Sequence, residues 1–355
     1  MPISSRALSA VSLFSGAGGV DIGFANAGFE TQLANDIDKD ACATYARNHS
    51  NKIICSPILD ILPVLAQYSG ADCVYGGPPC QGFSVAGKMK VDDPRNQLVW
   101  DFLSSVAVVK PKAFVMENVA ALKRLAKFRG VYDSIYLRAE QMGYHLVDVT
   151  LNAEHYGVPQ RRERVFFFGS TSPIDEVKLR DHFQRMSRHR VSVKEALTPL
   201  GKAGSVNNED ECIAKITPCK NPVLRASAYA GMLFNGAGRP INPDGASPTI
   251  TATTGGNRTP IIDQAHLFDG AASAIEIYHR HLMKGGKVKT FEEIGGDLHR
   301  LTLQQGARLQ TFPPEYAFVG KASSVWRQIG NAIPAELAFA VATAAKALCE
   351  GKLSK

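Results

Sequence analysis

At ~150 residues per domain, a chain of 355 residues holds two domains, or one with a large insertion. Apolar residues make up 45% and charged residues 21%, which excludes disorder, collagen-like repeats and a coiled coil and allows a full core. The balance of 40 Lys and Arg against 33 Asp and Glu gives a formal charge of +7. That charge suits a nucleic-acid partner and equally suits many enzymes, so by itself it decides little.

AVSLFSG (10–16) reads as a buried strand entering a glycine turn, and Val20 to Ala27 as a helix stopped by Gly28. ETQLAND (30–36) predicts a second strand and Lys39 to Asn48 a second helix. ADCVYGG (71–77) and AFVMENV (113–119) are further strands, with a helix through Leu98 to Val109 between them. YHLVDVTLNA (144–153) and RVFFFGS (164–170) close the region as strands. Such alternation predicts a parallel sheet covered on both faces, with ligands at the carboxyl ends of its strands. Residues 171–297 are rich in Gly, Pro, Asn, Ser and Thr, most clearly over 236–260, and read as a loop-rich module of irregular β structure. Helical patterns return at Leu301 to Gln310 and at Pro334 to Leu348.

Seven cysteines are present, at 42, 55, 73, 80, 212, 219 and 349, with no C-x-x-C pair. That usage supports neither a disulfide framework nor a zinc site and predicts a reducing cytosol. No secretory h-region and no run of 18 apolar residues is found, so no membrane partner is expected.

Phe14-Ser15-Gly16-Ala17-Gly18-Gly19 lies between a strand and a helix, where glycines let the backbone approach a ligand. The spacing is not G-x-G-x-x-G, which argues against a dinucleotide pyrophosphate. Asp36 ends the next strand some 20 residues on, where doubly wound folds place an acid on a ribose. A nucleoside without a pyrophosphate fits this pairing, and S-adenosylmethionine is one. Gly76-Gly77-Pro78-Pro79-Cys80-Gln81-Gly82-Phe83-Ser84 follows a strand directly. Its prolines stiffen the turn, and a thiol held there at the sheet's carboxyl edge makes better sense as a nucleophile than as packing.

GGPPCQGFS resembles the nucleophile loop of the DNA (cytosine-5) methyltransferases, and LFSGAGG resembles that family's opening motif. The resemblance continues in order through Asp93 to Leu98, Glu117-Asn118-Val119 and Tyr156 to Arg164. It ends with Arg300-Leu301-Thr302, Ala307 to Phe312-Pro313, and Gln328 to Pro334. Two positions depart from the family pattern. Pro57 stands where an Asp is usual, with Asp60 three residues on, and Gln304-Gln305 stands where Arg-Glu is usual.

The resemblance implies a doubly wound α/β methyltransferase sheet with a second, smaller, loop-rich target-recognition domain. Residues 1–172 plus 322–355 would form the first domain and 173–321 the second. It implies methyl transfer from S-adenosyl-L-methionine to carbon 5 of a flipped-out cytosine in a specific duplex DNA sequence, with S-adenosyl-L-homocysteine as product and no metal. Cys80 would be the nucleophile and Glu117 the acid at ring nitrogen N3, with Arg162 and Arg164 beside them. A strand-end Glu is expected to be buried, and Arg162 and Arg164 to contact Glu117 or the cytosine carbonyl.

The cofactor pocket would take Phe14, Ser15, Gly16, Ala17, Gly18, Gly19, Asp36, Ile37, Ile58, Pro78, Leu98, Asn331 and Ala332. The adenine would be met by Asp60 or by backbone at Ile58. Gln81 and Ser84 are expected on DNA. Arg239 and Arg258, in the one long stretch without family motifs, are expected to read bases or hold phosphate. Basic residues at Arg180, Arg185, Arg188 and Arg190, and at Arg280, Lys284, Lys287 and Lys289, read first as solvated faces. The chain is expected to be a cytoplasmic, nucleoid-associated monomer, with a cognate restriction endonuclease encoded nearby. The rival readings are a tRNA cytosine-5 methyltransferase, a catalytically silent DNA-binding regulator and, more distantly, a nicotinamide oxidoreductase.

Overall fold

The computed structural model describes residues 6–79, 97–209 and 212–355. Five strands run parallel: β1 (Leu8–Leu13), β2 (Phe29–Asp36), β3 (Ile53–Cys55), β4 (Cys73–Gly76) and β5 (Ala113–Val119). With β6 (His145–Asn152) and β7 (Glu163–Ser170) they form a seven-stranded sheet of order β3-β2-β1-β4-β5-β7-β6. The doubly wound α/β architecture is as the sequence predicts, but the sheet is mixed rather than all parallel. β7 is antiparallel to both its neighbours. Only residues 153–162 join β6 to β7, too few for a crossover helix, so the chain turns back through the short helical turn Ala153–Tyr156.

Phe166, Phe167 and Phe168 show why β7 reads as a continuous apolar run. Phe166 and Phe168 enter one core with Ala10, Tyr75 and Val115, while Phe167 enters the other with Val11, Val74 and Phe114. Helices Gly19–Asn26, Glu176–Arg185 and Ala335–Cys349 cover the first face through Phe24, Leu179 and Val341. Helices Gln97–Val109 and Arg129–Gln141 cover the second through Phe102 and Ile135. At Gly23 two covering helices meet backbone to backbone: a Cβ there would lie 2.4 Å from the amide nitrogen of Phe339.

The strand order reverses between β1 and β4, from which the chain winds outward in both directions. Leu13 and Gly76, the last residues of those strands, are register partners. Close approach demands glycine here, since a Cβ at position 76 would sit 2.1 Å from the Leu13 carbonyl oxygen. The glycine turn and the Gly-Gly-Pro-Pro loop therefore leave the sheet side by side, at the crevice where open α/β sheets bind ligands.

Residues 171–297 hold more helix than their composition predicts. Two small antiparallel ladders, Pro218–Val223 with Met232–Phe234 and Ile261–Asp263 with Leu298–Arg300, accompany helices Gln264–Asp269 and Ala274–Met283. The missed signal was capping. Ser192 with Glu195 and Thr290 with Glu293 form full capping boxes, and Ser273 accepts from the Glu276 amide. The segment 322–355 divides between cores. Helix Ala322–Asn331 packs Val325, Trp326 and Ile329 with Leu197, Ile250 and Leu309, whereas Ala335–Cys349 lies in the sheet's first core. The run Ala322–Cys349 has the length and apolarity of a bilayer-crossing helix, but most of it is buried in protein and it breaks at Ala332–Pro334.

Candidate active site

Beyond β1 the backbone enters the left-handed region at Phe14 (φ +53°), Gly16 (+55°) and Gly18 (+88°). For Phe14 this costs on the order of 1–3 kcal/mol, so the surroundings must hold it. Ser15 does much of that: its amide donates to the Asn35 carbonyl at 2.9 Å, and its hydroxyl bonds Ser12 Oγ at 2.9 Å. Asp36 does the rest. One carboxylate oxygen accepts from the Gly16 amide and the other from the Asp38 amide, both at 2.8 Å. Burial pushes this carboxyl up, against the pull of those two amides. Asp36 thus clamps the glycine turn, and Ile37 beside it is 67% exposed.

Gly18 and Gly19 are fixed by what lies behind them. A Cβ on Gly18 would meet His49 Nε2 at 2.3 Å, and one on Gly19 would meet the Ile333 carbonyl oxygen at 2.9 Å and Ala332 Cβ at 3.1 Å. The Tyr316 hydroxyl donates to the Ala17 carbonyl and bonds His49 Nε2. The structure therefore brings Ala332, some 300 residues away in sequence, against the turn. Asn331 is exposed at the end of its helix, and Pro78 is buried beside the crevice. Leu98 packs against the second core. The Ile58 side chain is buried in that core, so only its backbone can face a ligand; Asp60 is exposed.

Glu117 on β5 meets Arg164 on β7. Arg164 Nε lies 2.6 Å from Glu117 Oε1, with the side chains 16% and 13% exposed. The other carboxylate oxygen faces the neighbouring loop: a Cβ on Gly77 would lie 2.9 Å from Glu117 Oε2. The ion pair thus holds one oxygen and leaves the other directed at the segment that leads into Cys80. Cys80, Gln81 and Ser84 themselves lie outside the described residues. Asn118, fully buried, has no partner for its Nδ2 among the described residues.

Arg162 is 2% exposed and donates through Nη1 to the Ile250 carbonyl at 3.1 Å, which excludes a surface ion-pair role. It belongs to a seam that sequence reasoning left without a function. Gln160 Nε2 donates to Gln310 Oε1 at 3.2 Å and its Oε1 accepts from the Ile250 amide at 3.1 Å, while Gln310 Nε2 donates to the Ile329 carbonyl at 2.6 Å. Both glutamines are fully buried. The Arg161 amide adds a bond to the Ser247 carbonyl at 2.8 Å. Three distant motifs and the 247–250 segment are thereby tied together. Gln305, at a departure from the family pattern, completes a capping box with Thr302.

Arg239 and Arg258 are exposed, on chain segments joined by the bond from the Gly238 amide to the Asn257 carbonyl. Beneath them lies Arg300, another residue left without a role in the sequence reading. It is 2% exposed, and burial lowers its pKa from the usual arginine value. It donates to the carbonyls of Ala214, Lys215, Asn235, Asn257 and Thr259, the last at 2.7 Å. Among the described residues it has no acidic partner. Arg180 and Arg188 pair with Glu176 and Glu336. Among the described residues, no cluster of three or more His, Cys, Asp or Glu could hold a metal ion.

The model of the family described as C-5 cytosine-specific DNA methylase matches residues 8–347. The chain is 30% identical over 341 residues to the type II methyltransferase M.FnuDI of Fusobacterium nucleatum, covering 94% of this chain and 92% of that protein. It is also 30% identical to the type II methyltransferase M.MthTI of Methanothermobacter thermautotrophicus, over 97% of this chain and 98% of that one. Among solved structures, the Schizosaccharomyces pombe Dnmt2 methyltransferase superposes with a TM-score of 0.67 at 16% identity, over 97% of this chain and 99% of that one, a likeness of fold. Glycine turn, strand-end Glu and paired Arg thus lie in a chain that matches this family along nearly its whole length: it belongs to the C-5 cytosine-specific DNA methylases and is a DNA (cytosine-5-)-methyltransferase.

Proposed function

We propose that the chain methylates carbon 5 of a cytosine flipped out of a specific duplex DNA sequence, with S-adenosylmethionine as donor and Cys80 adding covalently to carbon 6. The observation that carries this is the Glu117–Arg164 pair, whose second carboxylate oxygen is directed at the loop leading to Cys80. The donor fits the crevice. Among the described residues nothing beyond its own chain neighbours lies within 4 Å of where a Cβ on Gly16 would stand, so the turn is open to a ligand, and the exposed Ile37 follows the clamping acid. Phe14, Gly16, Gly18, Asp36, Ile37, Pro78 and Asn331 would hold the donor, which supplies an electrophilic methyl group. The division into a catalytic domain (1–172 plus 322–355) and a recognition domain (173–321), the monomeric state, the cytoplasmic location and a cognate endonuclease encoded nearby belong to the same reading.

Carbon 5 of cytosine is too weak a nucleophile to take a methyl group unaided. Thiolate addition at carbon 6 turns carbon 5 into the carbon of an enamine, splitting one hard step into two easier ones. Electron density then moves toward N3, where Glu117 would hold or deliver a proton, and Arg164 keeps that carboxyl in place. Carbon 6 is covered in stacked DNA, so the base must leave the duplex, at a cost of a few kcal/mol offset by contacts in the pocket.

Glu117→Gln is expected to lower kcat by roughly 10²- to 10⁴-fold, the range for one acid–base group. S-adenosylmethionine affinity, measured by calorimetry, should barely change. Normal single-turnover chemistry combined with lost donor binding would remove Glu117 from this role.

Target choice is expected to rest on residues 235–260, with Arg239 and Arg258 foremost. An arginine bidentate to a guanine edge discriminates by ~1–3 kcal/mol, so Ala at a base-reading position should relax the methylated sequence at one base pair. A phosphate-holding arginine would instead lower activity alike on every site and flatten the salt slope by about one unit. Bisulfite sequencing of a methylation-free host expressing each variant separates the two. An unchanged pattern with unchanged salt dependence for both variants would exclude the segment.

A further inference from the structure

Two cysteines converge on the turn that carries Asp36 and Ile37. Cys42 lies in the first turn of helix Lys39–Asn48, is 6% exposed, and donates its S–H to the Asp36 carbonyl at 3.5 Å. Cys55 ends β3, is exposed, and donates to the Ile37 carbonyl at 3.8 Å. Cys55 is also the register partner of Asp36. Thiols on two different elements thus point at the carbonyls of consecutive residues, on either side of the one turn that follows β2. Sequence reading found no C-x-x-C and no support for a disulfide framework; these two cysteines, 13 residues apart in sequence, are brought to one turn by the fold.

We infer that Cys42 and Cys55 form a reversible disulfide that ties β3 to the helix after β2 and weakens donor binding at the adjacent turn. The regulatory half rests on the cofactor reading given above. The oxidant would be a peroxide. The exposed Cys55 sulfur attacks a peroxide oxygen and becomes a sulfenic acid, and one water is released. Cys42 then attacks that sulfur, the S–S bond forms, and the hydroxyl leaves with the Cys42 proton as a second water. Two thiols are oxidised and one peroxide is reduced to two waters. Burial, the neighbouring Cys55 thiol and the nearby Asp36 and Asp38 charges push the Cys42 thiol up, which makes the closing step slow.

The effect on the pocket follows from geometry. A disulfide needs the sulfurs at about 2.05 Å, and both S–H bonds to the Asp36 and Ile37 carbonyls are lost. The Asp36 carboxylate is held at 2.8 Å to the Gly16 amide, so a shift of this turn is passed directly to the glycine turn.

The test uses the full-length protein in a Cys80→Ala background, so that oxidation of the nucleophile cannot confuse it, with hydrogen peroxide as oxidant and S-adenosylhomocysteine as calorimetric probe. A proteolytic peptide joining Cys42 to Cys55 is expected by mass spectrometry, reversed by dithiothreitol and absent in Cys42→Ser and Cys55→Ser. Probe affinity should fall about five- to tenfold on oxidation, return on reduction, and not respond in either serine variant. Absence of the joined peptide would overturn the pair, and a joined peptide with unchanged affinity would overturn the switch. If the reduced protein failed to bind the probe, the cofactor reading and the switch would fall together, while the mass measurement would still decide the disulfide.

Discussion

Cys80→Ala is expected to reduce methyl transfer to background on any duplex substrate while leaving thermal unfolding and donor binding near those of the wild type. A loop thiol adds little packing, whereas without it no group adds to carbon 6 and the ring is never activated. The complementary result is a covalent trap. A duplex with 5-fluorocytosine at the target should hold the wild type in a complex that survives denaturing electrophoresis, because fluorine cannot leave carbon 5 as a cation. Cys80→Ala should give no such complex. Residual turnover within about tenfold of the wild type would transfer the nucleophile role elsewhere. The structural support is the approach of Gly77, three residues before Cys80, to Glu117, whose Oε2 would lie 2.9 Å from a Cβ there.

How much of this was legible beforehand varies with the range of the interaction. Helix Lys39–Asn48 and strand Ala113–Val119 have the bounds read from the sequence, because caps and apolar runs are local signals. The orientation of β7 was not legible from its apolar run, which reads alike in either direction; the clue was the ten-residue link before it. Asp36 was read as a ribose contact from its place at a strand end. That it also clamps the glycine turn depends on β1 and β2 being neighbours, which no local pattern states. Gln160 and Gln310 lay inside recognised motifs, yet their function as a buried seam required 150 residues of chain to fold back, and polar residues in a motif suggest chemistry before they suggest structure. Ala274–Met283 was missed for a different reason: Gly and Pro in the flanking segments dominated a composition reading that a Ser-x-x-Glu cap would have corrected.

Arg300 carries the other large expected effect. Its guanidinium gathers three loop segments, at 214–215, 235 and 257–259, and every acceptor it meets among the described residues is a neutral oxygen. Replacement by leucine would strand several buried carbonyls at ~1–3 kcal/mol each, and because those losses overlap the total should be about 3 kcal/mol or more. Lysine should not rescue it, since one ammonium cannot reach in the three directions that the planar fork serves. Donor binding should survive, because the Arg300 partners among the described residues, at 214–215, 235 and 257–259, lie on none of the segments that form the crevice at β1 and β4. Hydrogen exchange should accelerate at residues 214–217, 235–239 and 257–259, and the methylated sequence should become less selective, because Arg239 and Arg258 sit on the segments released. A lysine variant with wild-type exchange protection and an unchanged methylation pattern would show that these loops hold their shape without the fork, and recognition would then depend on the surface arginines alone.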